Sequence, residues 1–332
     1  MNKVFLSVDG GGTKLNMVLF DENFQILGEG AGGGVNLNST TEADAQANIL
    51  DCLSQVFARR KPDMIERLYY IFVGRAPYFL EELKKICAVN EAVPIAEPIG
   101  GLLAGAMWKH GILALAGTGS DVFYIAKGKP LSNRQASLAE RTVVGGWGPL
   151  LGDDGGGVWI GHQAVRRAIA GLEGWAEPTE ILNLIRREWQ LKHDWEMVSL
   201  VYQSPSPFRK VASLTRAVGE AAVLGDKVAR AILTEAGKLL AVQAECLVRR
   251  FHIPPEDFRM VTCGGAWKAH PLFFDTFKDA LAISCPGLYV RRHRFEHVMA
   301  GPAREMLNIC PDNDTAETRL MELFPQYIVQ WD

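Results

Sequence analysis

Short apolar runs separated by small and polar residues dominate the first part of the chain. Residues 4–8 and 15–20 are each apolar at all but one position, and residues 26–30 follow a polar turn. Runs of this length that end in turn residues are typical of β-strands. They predict a three-strand meander at the N-terminal end of the sequence.

Helical and strand patterns then alternate. Apolar residues recur at helical spacing over residues 41–59, and residues 68–73 form a continuous apolar run. Such a run is typical of a strand that is buried on both faces of an α/β sheet. A short strand at 94–96 and helices at 80–87 and 101–108 continue the alternation, which predicts an α/β fold.

The opening pattern returns about a hundred residues later. Residues 112–116 are apolar, residues 117–120 read GTGS, and residues 122–126 form a second apolar run. The same strand–loop–strand unit therefore occurs twice. Two copies suggest two related domains, each with a loop that binds an anion in a shared cleft.

The second half of the chain is mostly helical. Apolar spacing predicts helices at 158–170, 179–189, 210–224 and 226–250. A strand is predicted at 259–263, and further helices follow it. The last of these is expected near residues 315–324.

The first loop reads DGGGTK over residues 9–14. Its three glycines leave the backbone N–H groups open to a bulky anion. Thr13 adds a hydroxyl, Lys14 a cation, and Asp9 a carboxylate that holds a metal through water. A dinucleotide-binding or Walker loop opens a helix, and neither spacing is present. An ordinary glycine-rich hairpin is the alternative interpretation.

A second glycine-dense stretch covers residues 145–157. Trp147 offers a flat apolar face that suits a sugar ring. Asp153 and Asp154 offer acceptors for hydroxyl groups or for metal-bound water. The alternative is a long surface loop that leads into the next helix.

Other candidate residues follow predicted strands or lie in glycine-rich segments. Glu97, after the strand at 94–96, is a candidate general base or a solvated glutamate. Arg75 is a candidate contact for a polar or anionic substrate group, or a surface arginine. Gly264 and Gly265 let a purine lie against the backbone or form a simple turn. Asn36 is a hydrogen-bonding group for a substrate or a turn residue.

Composition narrows the class of protein. The chain has 332 residues, 48% of them hydrophobic and 22% charged, with a net charge of −3. This charge gives no reason to expect nucleic acid or an anionic membrane as a partner. The six cysteines form no CxxC pair, which argues against a zinc or iron–sulfur site. No apolar run reaches membrane-spanning length and no signal peptide is evident, so a cytoplasmic protein is expected.

The motifs occur in an order that resembles the order in a known protein family. DGGGTK, AGTGS, GGWGPLLGDDGGGVWIG and CGG before a helix resemble the N-acetylglucosamine kinase group of the BadF/BadG/BcrA/BcrD ATPase family. That family lies in the actin-like, sugar-kinase and Hsp70 superfamily. The resemblance extends over about residues 4–307, and the third motif is the most specific.

The resemblance implies an α/β fold with two ribonuclease-H-like domains around a central nucleotide cleft. The expected domains are residues 1–116 and 117–332, and the last helix is a candidate for packing back on the first domain. ATP and Mg²⁺ are the implied cofactors, a small sugar is the implied partner, and a homodimer is expected.

The resemblance also implies roles for single residues. Glu97 would be the catalytic base, and Asp9 would hold magnesium through water. The other implied contacts are Gly11, Gly12, Thr13, Lys14, Gly117, Thr118, Gly119 and Ser120 for the phosphates, Gly264 and Gly265 for adenosine, and Asn36, Trp147, Gly148 and Asp153 for the sugar, to which Arg75 is added.

One departure from the family concerns the catalytic base. The family usually has an aspartate where this chain has Glu97, and Pro98 follows it. Asp154 also stands where the family favours glutamate. The activators of 2-hydroxyacyl-CoA dehydratases share the superfamily's ATPase core, but the cysteine pair that bridges their iron–sulfur cluster is missing here.

Two functions follow from these features. The leading prediction is an ATP-dependent kinase of an amino sugar at its 6-hydroxyl, with N-acetylglucosamine, glucosamine or N-acetylmuramic acid as substrate. The alternative is a sugar or nucleotide sensor of the same fold with weak catalysis, which the change at Glu97 supports.

Overall fold

The computed structural model of the chain describes residues 3–37, 40–72, 76–128 and 142–331. These residues divide into two compact units. The first unit consists of the described residues up to 110, residues 125–128 and His293–Val329. The second consists of Gly111–Tyr124, residues 142–292, Gln330 and Trp331.

The elements up to residue 110 are β1 (Val4–Gly10), β2 (Lys14–Asp21), β3 (Ile26–Gly33), α1 (Glu42–Val56), β4 (Met64–Phe72), α2 (Ala76–Ile86), β5 (Ala88–Pro94) and α3 (Glu97–Ala106). Those that follow are β6 (Gly111–Ala116), β7 (Ser120–Ile125), β8 (Val143–Gly145), α4 (Gly157–Leu172), α5 (Ile181–Trp189), α6 (Glu196–Tyr202), α7 (Pro207–Ala212), α8 (Thr215–Val223), α9 (Lys227–Phe251), β9 (Arg259–Cys263), α10 (Pro271–Ser284), β10 (Tyr289–Arg291), α11 (Ala300–Ile309) and α12 (Asn313–Leu323). No helix of the described residues is both long and apolar enough to cross a membrane.

The two units contain sheets with the same topology. The first sheet has the order β3-β2-β1-β4-β5, and the second has β8-β7-β6-β9-β10 when written from the corresponding edge. β1 is antiparallel to β2 and parallel to β4. In the second sheet, β6 is parallel to β9 and β7 is antiparallel to β8. The predicted α/β class and the predicted duplication are therefore confirmed.

Both faces of β1 are buried, and they face different elements. Val4, Leu6 and Val8 belong to the core that β1 shares with α1 and α2. On the opposite face, the Ser7 hydroxyl donates to the Val298 carbonyl oxygen and accepts from the Gly301 N–H. Because side chains alternate along a strand, Asp9 lies on the same face as Ser7. The sequence periodicity thus directs Asp9 toward the segment that leads into α11.

A buried carboxylate joins α11 to the first sheet. Glu305 on α11 accepts hydrogen bonds from the Arg67 guanidinium and, at 2.7 Å, from the Tyr69 hydroxyl. Its side chain is only 9% exposed, whereas that of Arg67 is 31% exposed. A buried carboxylate needs such partners because losing water is costly for a charge. Glu305 therefore fixes α11 against β4.

In the second unit, α9 packs closely along α10. A Cβ at Gly237 would lie 2.8 Å from the Phe273 carbonyl oxygen, so glycine permits this approach. Trp267, just before α10, is buried and donates its indole N–H to the Ala114 carbonyl oxygen of β6. These contacts fix the helices against the second sheet.

The structure differs from the sequence-based elements at several points. β6 pairs with β9, so the second unit begins at Gly111 rather than after residue 116. α11 belongs to the first unit rather than to the second. α12, the last predicted helix, also belongs to the first unit, where it was a candidate for packing. The helix predicted at 210–224 is two helices, α7 and α8, because residues 213 and 214 interrupt it. α6 and the short strands β8 and β10 have no counterpart in the predicted elements.

Candidate active site

The first glycine loop connects β1 to β2 and is braced by the segment after β3. The Gly11 N–H donates to the Lys14 carbonyl oxygen at 3.0 Å. The Gly11 carbonyl oxygen accepts from the N–H groups of Val35 at 2.9 Å and Asn36 at 3.3 Å. A Cβ at Gly34 would lie 2.2 Å from the Gly12 carbonyl oxygen. The predicted sugar contact Asn36 is thus held against the first loop.

The outer side of this loop is accessible. A Cβ at Gly11 would meet no atom within 4 Å, and Thr13 is exposed. Gly12 is half-buried. Bare backbone beside a hydroxyl is suited to binding an anion, as the sequence predicts for this loop.

Glu97 and Asp9 are linked through a residue that the sequence analysis did not select. His297 Nδ1 lies 3.4 Å from Asp9 Oδ1, and its Nε2 lies 3.1 Å from the Glu97 carbonyl oxygen. Only the imidazolium form donates from both ring nitrogens. The side chains of His297 and Asp9 are 13% and 9% exposed, so these groups interact in a largely dry environment.

Glu97 is the first residue of α3 rather than a loop residue at a strand end. Ala96 is the N-cap, and Pro98 lies in the first helical turn. Proline is well tolerated there because the first N–H groups of a helix have no partner within the helix. The proline that follows the carboxylate therefore starts α3 and does not disrupt it.

The charges of this cluster perturb one another. Burial raises the pKa of the Glu97 carboxyl above its ordinary value; His297 opposes the rise and Asp9 adds to it. Burial also lowers the pKa of the His297 imidazole, but the nearby Asp9 and Glu97 more than offset this, so that its pKa is raised. A carboxyl whose pKa is raised by burial beside other charged groups is typical of a residue that takes part in acid–base chemistry.

Lys14 also contacts the segment before α11. Its Nζ lies 2.8 Å from Glu296 Oε2, and the two side chains are 45% and 31% exposed. An ion pair at this exposure contributes little to stability. The contact orients the Lys14 ammonium beside the first glycine loop.

The second glycine loop lies at the N-terminus of α4. The Gly117 N–H donates to the Gly119 carbonyl oxygen at 2.9 Å. The N–H groups of Gly157 and Val158, at the start of α4, donate to the carbonyl oxygens of Gly117 and Thr118. The Ser120 hydroxyl donates to the Asp154 carbonyl oxygen at 2.9 Å. The loop is therefore held at the positive end of a helix dipole, which favours anions.

Asp153 joins this loop to the predicted sugar loop. Its carboxylate accepts the Gly148 N–H at 3.0 Å, and the N–H groups of Ser120 and Trp147 also lower its pKa. Burial outweighs these hydrogen bonds, so the pKa of Asp153 is raised. A Cβ at Gly119 would lie 2.1 Å from Asp153 Oδ2. The side chain thus holds the loop backbone in place, and its role as a sugar contact stays a prediction.

Gly264 and Gly265 have different surroundings. Gly264 has a φ of +109°, and a Cβ there would lie 2.3 Å from the Ala116 carbonyl oxygen. The end of β9 is thus pressed against the start of the second glycine loop. A Cβ at Gly265 would meet nothing within 4 Å. Gly264 is needed for packing, whereas Gly265 leaves open backbone that suits a flat ring.

The remaining predicted contacts lie on accessible backbone or outside the described residues. Trp147 is 68% exposed, and Gly148 has a φ of +85°. A Cβ at Gly148 would meet no atom within 4 Å. Arg75 lies outside the described residues.

The predicted residues form one cluster in each unit. In the first unit, the first loop, Asn36, Asp9 and Glu97 lie together around β1 and α3. In the second unit, the second loop, Asp153 and Gly264 are in direct contact. Sequence reasoning missed His297 and Glu296, because their partners Asp9, Glu97 and Lys14 are distant from them in the sequence.

The chain is similar to known proteins over most of its length. Residues 6–295 match the BadF/BadG/BcrA/BcrD ATPase family. The N-acetylmuramic acid/N-acetylglucosamine kinase of Clostridium acetobutylicum is 26% identical over 292 residues, which cover 86% of this chain and 92% of that protein. The N-acetyl-D-glucosamine kinase of Dictyostelium discoideum is 26% identical over 281 residues, which cover 79% of this chain and 85% of that protein.

A solved structure gives a matching fold. A candidate N-acetylglucosamine kinase from Porphyromonas gingivalis has a TM-score of 0.65 at 17% identity, and 92% of this chain and 99% of that chain are covered. This likeness confirms the predicted α/β fold of the chain. The curated relatives confirm the predicted class of enzyme, a kinase.

Proposed function

Because this chain belongs to the BadF/BadG/BcrA/BcrD ATPase family, we propose that it transfers the γ-phosphoryl group of ATP to an amino sugar. N-acetylglucosamine is the first candidate acceptor, at its 6-hydroxyl, and N-acetylmuramic acid and glucosamine are the next. The names of two curated relatives support the first two of these sugars. The observation that carries the proposal is the cluster in which His297 contacts both Asp9 and Glu97 beside the first glycine loop.

Glu97 is the proposed general base. Its carboxylate takes the proton of the sugar hydroxyl, whose oxygen then bonds to the γ-phosphorus as the bond to the β–γ bridging oxygen breaks and ADP leaves. The burial that raises the pKa of Glu97 makes the carboxylate a stronger proton acceptor than a solvated glutamate. The raised pKa thus suits the task, provided that the group is ionised at the working pH.

The two glycine loops are the proposed phosphate sites. The N–H groups of Gly11, Gly117 and Ser120 already donate within the protein. The N–H groups of Thr13, Thr118 and Gly119 are therefore the proposed donors to phosphate oxygens, and the start of α4 adds the positive end of its dipole. Lys14 adds a cation. Phosphoryl transfer depends mainly on positioning and on stabilising negative charge, and these groups supply both.

The donors at Asp9 fit magnesium. A magnesium ion that arrives with ATP keeps several waters and needs only one or two protein carboxylates, and Asp9 supplies one at the end of β1. When bound, the ion neutralises charge on the phosphates. His297 holds the Asp9 carboxylate from the side of α11, and this contact defines where that carboxylate points.

A coupled ADP-release assay tests the proposed function. The purified protein with ATP and Mg²⁺ is expected to release ADP only when N-acetylglucosamine, N-acetylmuramic acid or glucosamine is added, with glucose as the comparison sugar. Phosphorus NMR of the product identifies the phosphorylated hydroxyl. No turnover with any of these sugars would disprove the kinase.

A sugar sensor is the second candidate. The raised pKa of Glu97 favours it, because a carboxyl that stays protonated is no base. Calorimetry separates the two functions: tight sugar binding without sugar-dependent ADP release indicates a sensor. Turnover that appears only above the raised pKa of Glu97 indicates a kinase with a perturbed base.

Two neighbouring glycines make a matched pair for testing the adenosine site. Replacing Gly264 with alanine is expected to lower the free energy of unfolding by about 1–3 kcal/mol, because its φ is +109° and the new Cβ would meet the Ala116 carbonyl oxygen. Replacing Gly265 with alanine adds a methyl in open space and is expected to leave stability unchanged but raise the Kd for ATP. Urea unfolding and nucleotide titration measure both. Equal ATP affinity of the Gly265→Ala protein and the unmodified protein would argue against adenosine binding here.

A further inference from the structure

The segment between β10 and α11 reaches the catalytic cluster from the far end of the chain. Its residue His297 contacts Asp9, 288 positions earlier by number, and Glu97, 200 positions earlier. His297 therefore links the proposed magnesium carboxylate to the residue that carries the proposed base.

The backbone of this segment is fixed on both sides of His297. The Phe295 N–H donates to the Ala104 carbonyl oxygen near the end of α3, at 3.1 Å. The Glu296 N–H donates to the Tyr327 carbonyl oxygen at 2.9 Å. On the other side, the Val298 carbonyl oxygen accepts from the Ser7 hydroxyl. Because the backbone on both sides of His297 is held by hydrogen bonds, the His297 side chain starts from a fixed position. A residue that positions catalytic groups needs such a fixed position.

The sequence of α3 makes room for the imidazole ring. Gly100 lies one turn after Glu97, and a Cβ at Gly100 would be 2.9 Å from His297 Nε2. The same Cβ would also meet Ile71 at 2.3 Å. The glycine thus lets the ring approach the first turn of α3 and reach the Glu97 carbonyl oxygen.

We propose that His297 is a positioning residue for the reaction, one that fixes the Asp9 carboxylate and the first turn of α3 through its two ring nitrogens. The inference rests on the proposed function. It adds a role to a residue that is not among the proposed sugar and phosphate contacts. His297 contacts the backbone of Glu97 and not its carboxylate. The contact therefore fixes the position of the Glu97 main chain, from which a side chain one methylene longer than that of aspartate extends.

The consequence for catalysis follows from geometry. Phosphoryl transfer depends mainly on how the reacting groups are positioned. A displacement of a catalytic group by about 1 Å lowers the rate about a hundredfold. Removing the ring releases the Asp9 carboxylate and the start of α3 together. The rate of the chemical step is expected to fall, while sugar contacts such as Asn36 stay in place.

Amide side chains separate the two contacts. In His297→Asn the amide nitrogen replaces Nδ1 and keeps the donor to Asp9; in His297→Gln it replaces Nε2 and keeps the donor to the Glu97 carbonyl oxygen. We expect His297→Ala to lower kcat by about ten- to a hundredfold with the KM for the sugar changed less than about threefold. Each amide variant is expected to recover part of the lost kcat.

A control separates positioning from general stability. Thr318→Val removes the hydrogen bond from the Thr318 hydroxyl to the Asp314 carbonyl oxygen within α12, a helix of the same C-terminal part of the first unit. It is expected to leave kcat unchanged. Melting temperatures of all variants are measured beside the kinetics, and only folded protein is compared.

The outcomes distinguish the two proposals. If the unmodified protein phosphorylates none of the sugars, the proposed function and this inference both fail. If the unmodified protein is active and His297→Ala has an unchanged kcat, or if the amide variants are as impaired as His297→Ala while Tm falls in step with kcat, His297 has no positioning role. A lower kcat at an unchanged sugar KM, with partial recovery in an amide variant, supports it.

Discussion

Glu97→Gln is expected to lower kcat by about 10²–10⁴-fold, the usual contribution of a general base. The amide has nearly the same shape but cannot accept the proton of the sugar hydroxyl. Calorimetry is expected to give dissociation constants for sugar and ATP within about threefold of the unmodified protein. Glu91→Gln, which removes an exposed carboxylate of the same unit, is the matched control. Retained turnover in Glu97→Gln would exclude Glu97 as the base.

The same substitution is expected to raise stability at neutral pH. The pKa of Glu97 is raised in the folded protein, so the folded state binds a proton that the unfolded state has already released. Stability therefore falls as the pH rises from the ordinary glutamate range through the folded pKa. Glutamine removes this loss, and Tm is expected to rise by about 1–4 °C at neutral pH. Below the ordinary pKa of glutamate the difference is expected to vanish, because both side chains are then neutral in both states.

Glu305→Ala is expected to lower the free energy of unfolding by about 2–4 kcal/mol. The change leaves the Arg67 guanidinium and the Tyr69 hydroxyl without their shared acceptor. Glu305 holds the pKa of Arg67 above its ordinary value through this hydrogen bond. The partial exposure of Arg67 allows water to replace some of the lost contact, which places the expected loss below that of a fully buried pair.

Two further variants calibrate this loss. Tyr69→Phe removes one hydrogen bond to Glu305 and is expected to cost about 1 kcal/mol. Glu245→Ala breaks a surface pair with Arg249 on α9 and is expected to cost less than about 0.5 kcal/mol. Urea unfolding followed by circular dichroism measures all three. If Glu305→Ala costs no more than Glu245→Ala, the buried carboxylate has no special role in holding α11.

The glycine loops and the duplicated topology could be predicted from the sequence. Each loop lies between two apolar runs of strand length, and this local pattern is sufficient to place Gly11 and Gly117. The order of the motifs then indicated the family. The sequence pattern does not predict where α3 begins. A proline after a carboxylate, as at Glu97, is compatible with a loop and equally with the first turn of a helix.

His297 lay beyond such reasoning because its partners are distant in the sequence. Its neighbours Phe295 and Val298 are buried, and the segment reads as a simple approach to a helix. Asp153 shows a different limit. The sequence indicated a hydrogen-bond acceptor in a glycine-rich loop. It did not show that the Asp153 carboxylate accepts hydrogen bonds from backbone N–H groups of the protein, including that of Gly148. Positive φ at Asp153 and Gly148 creates that arrangement, and only the folded backbone reveals it.

The return of residues 293–329 to the first unit has a consequence for biosynthesis. As the chain leaves the ribosome, β1 to β5 emerge early, but the face of β1 that bears Ser7 and Asp9 stays uncovered until α11 has been made. Most of the second unit is synthesised in between. Nascent chains with an uncovered sheet face are prone to aggregation. Residues 293–329 thus complete a unit whose strands β1 to β5 were translated much earlier, and a chain stalled before them would be a target for chaperones.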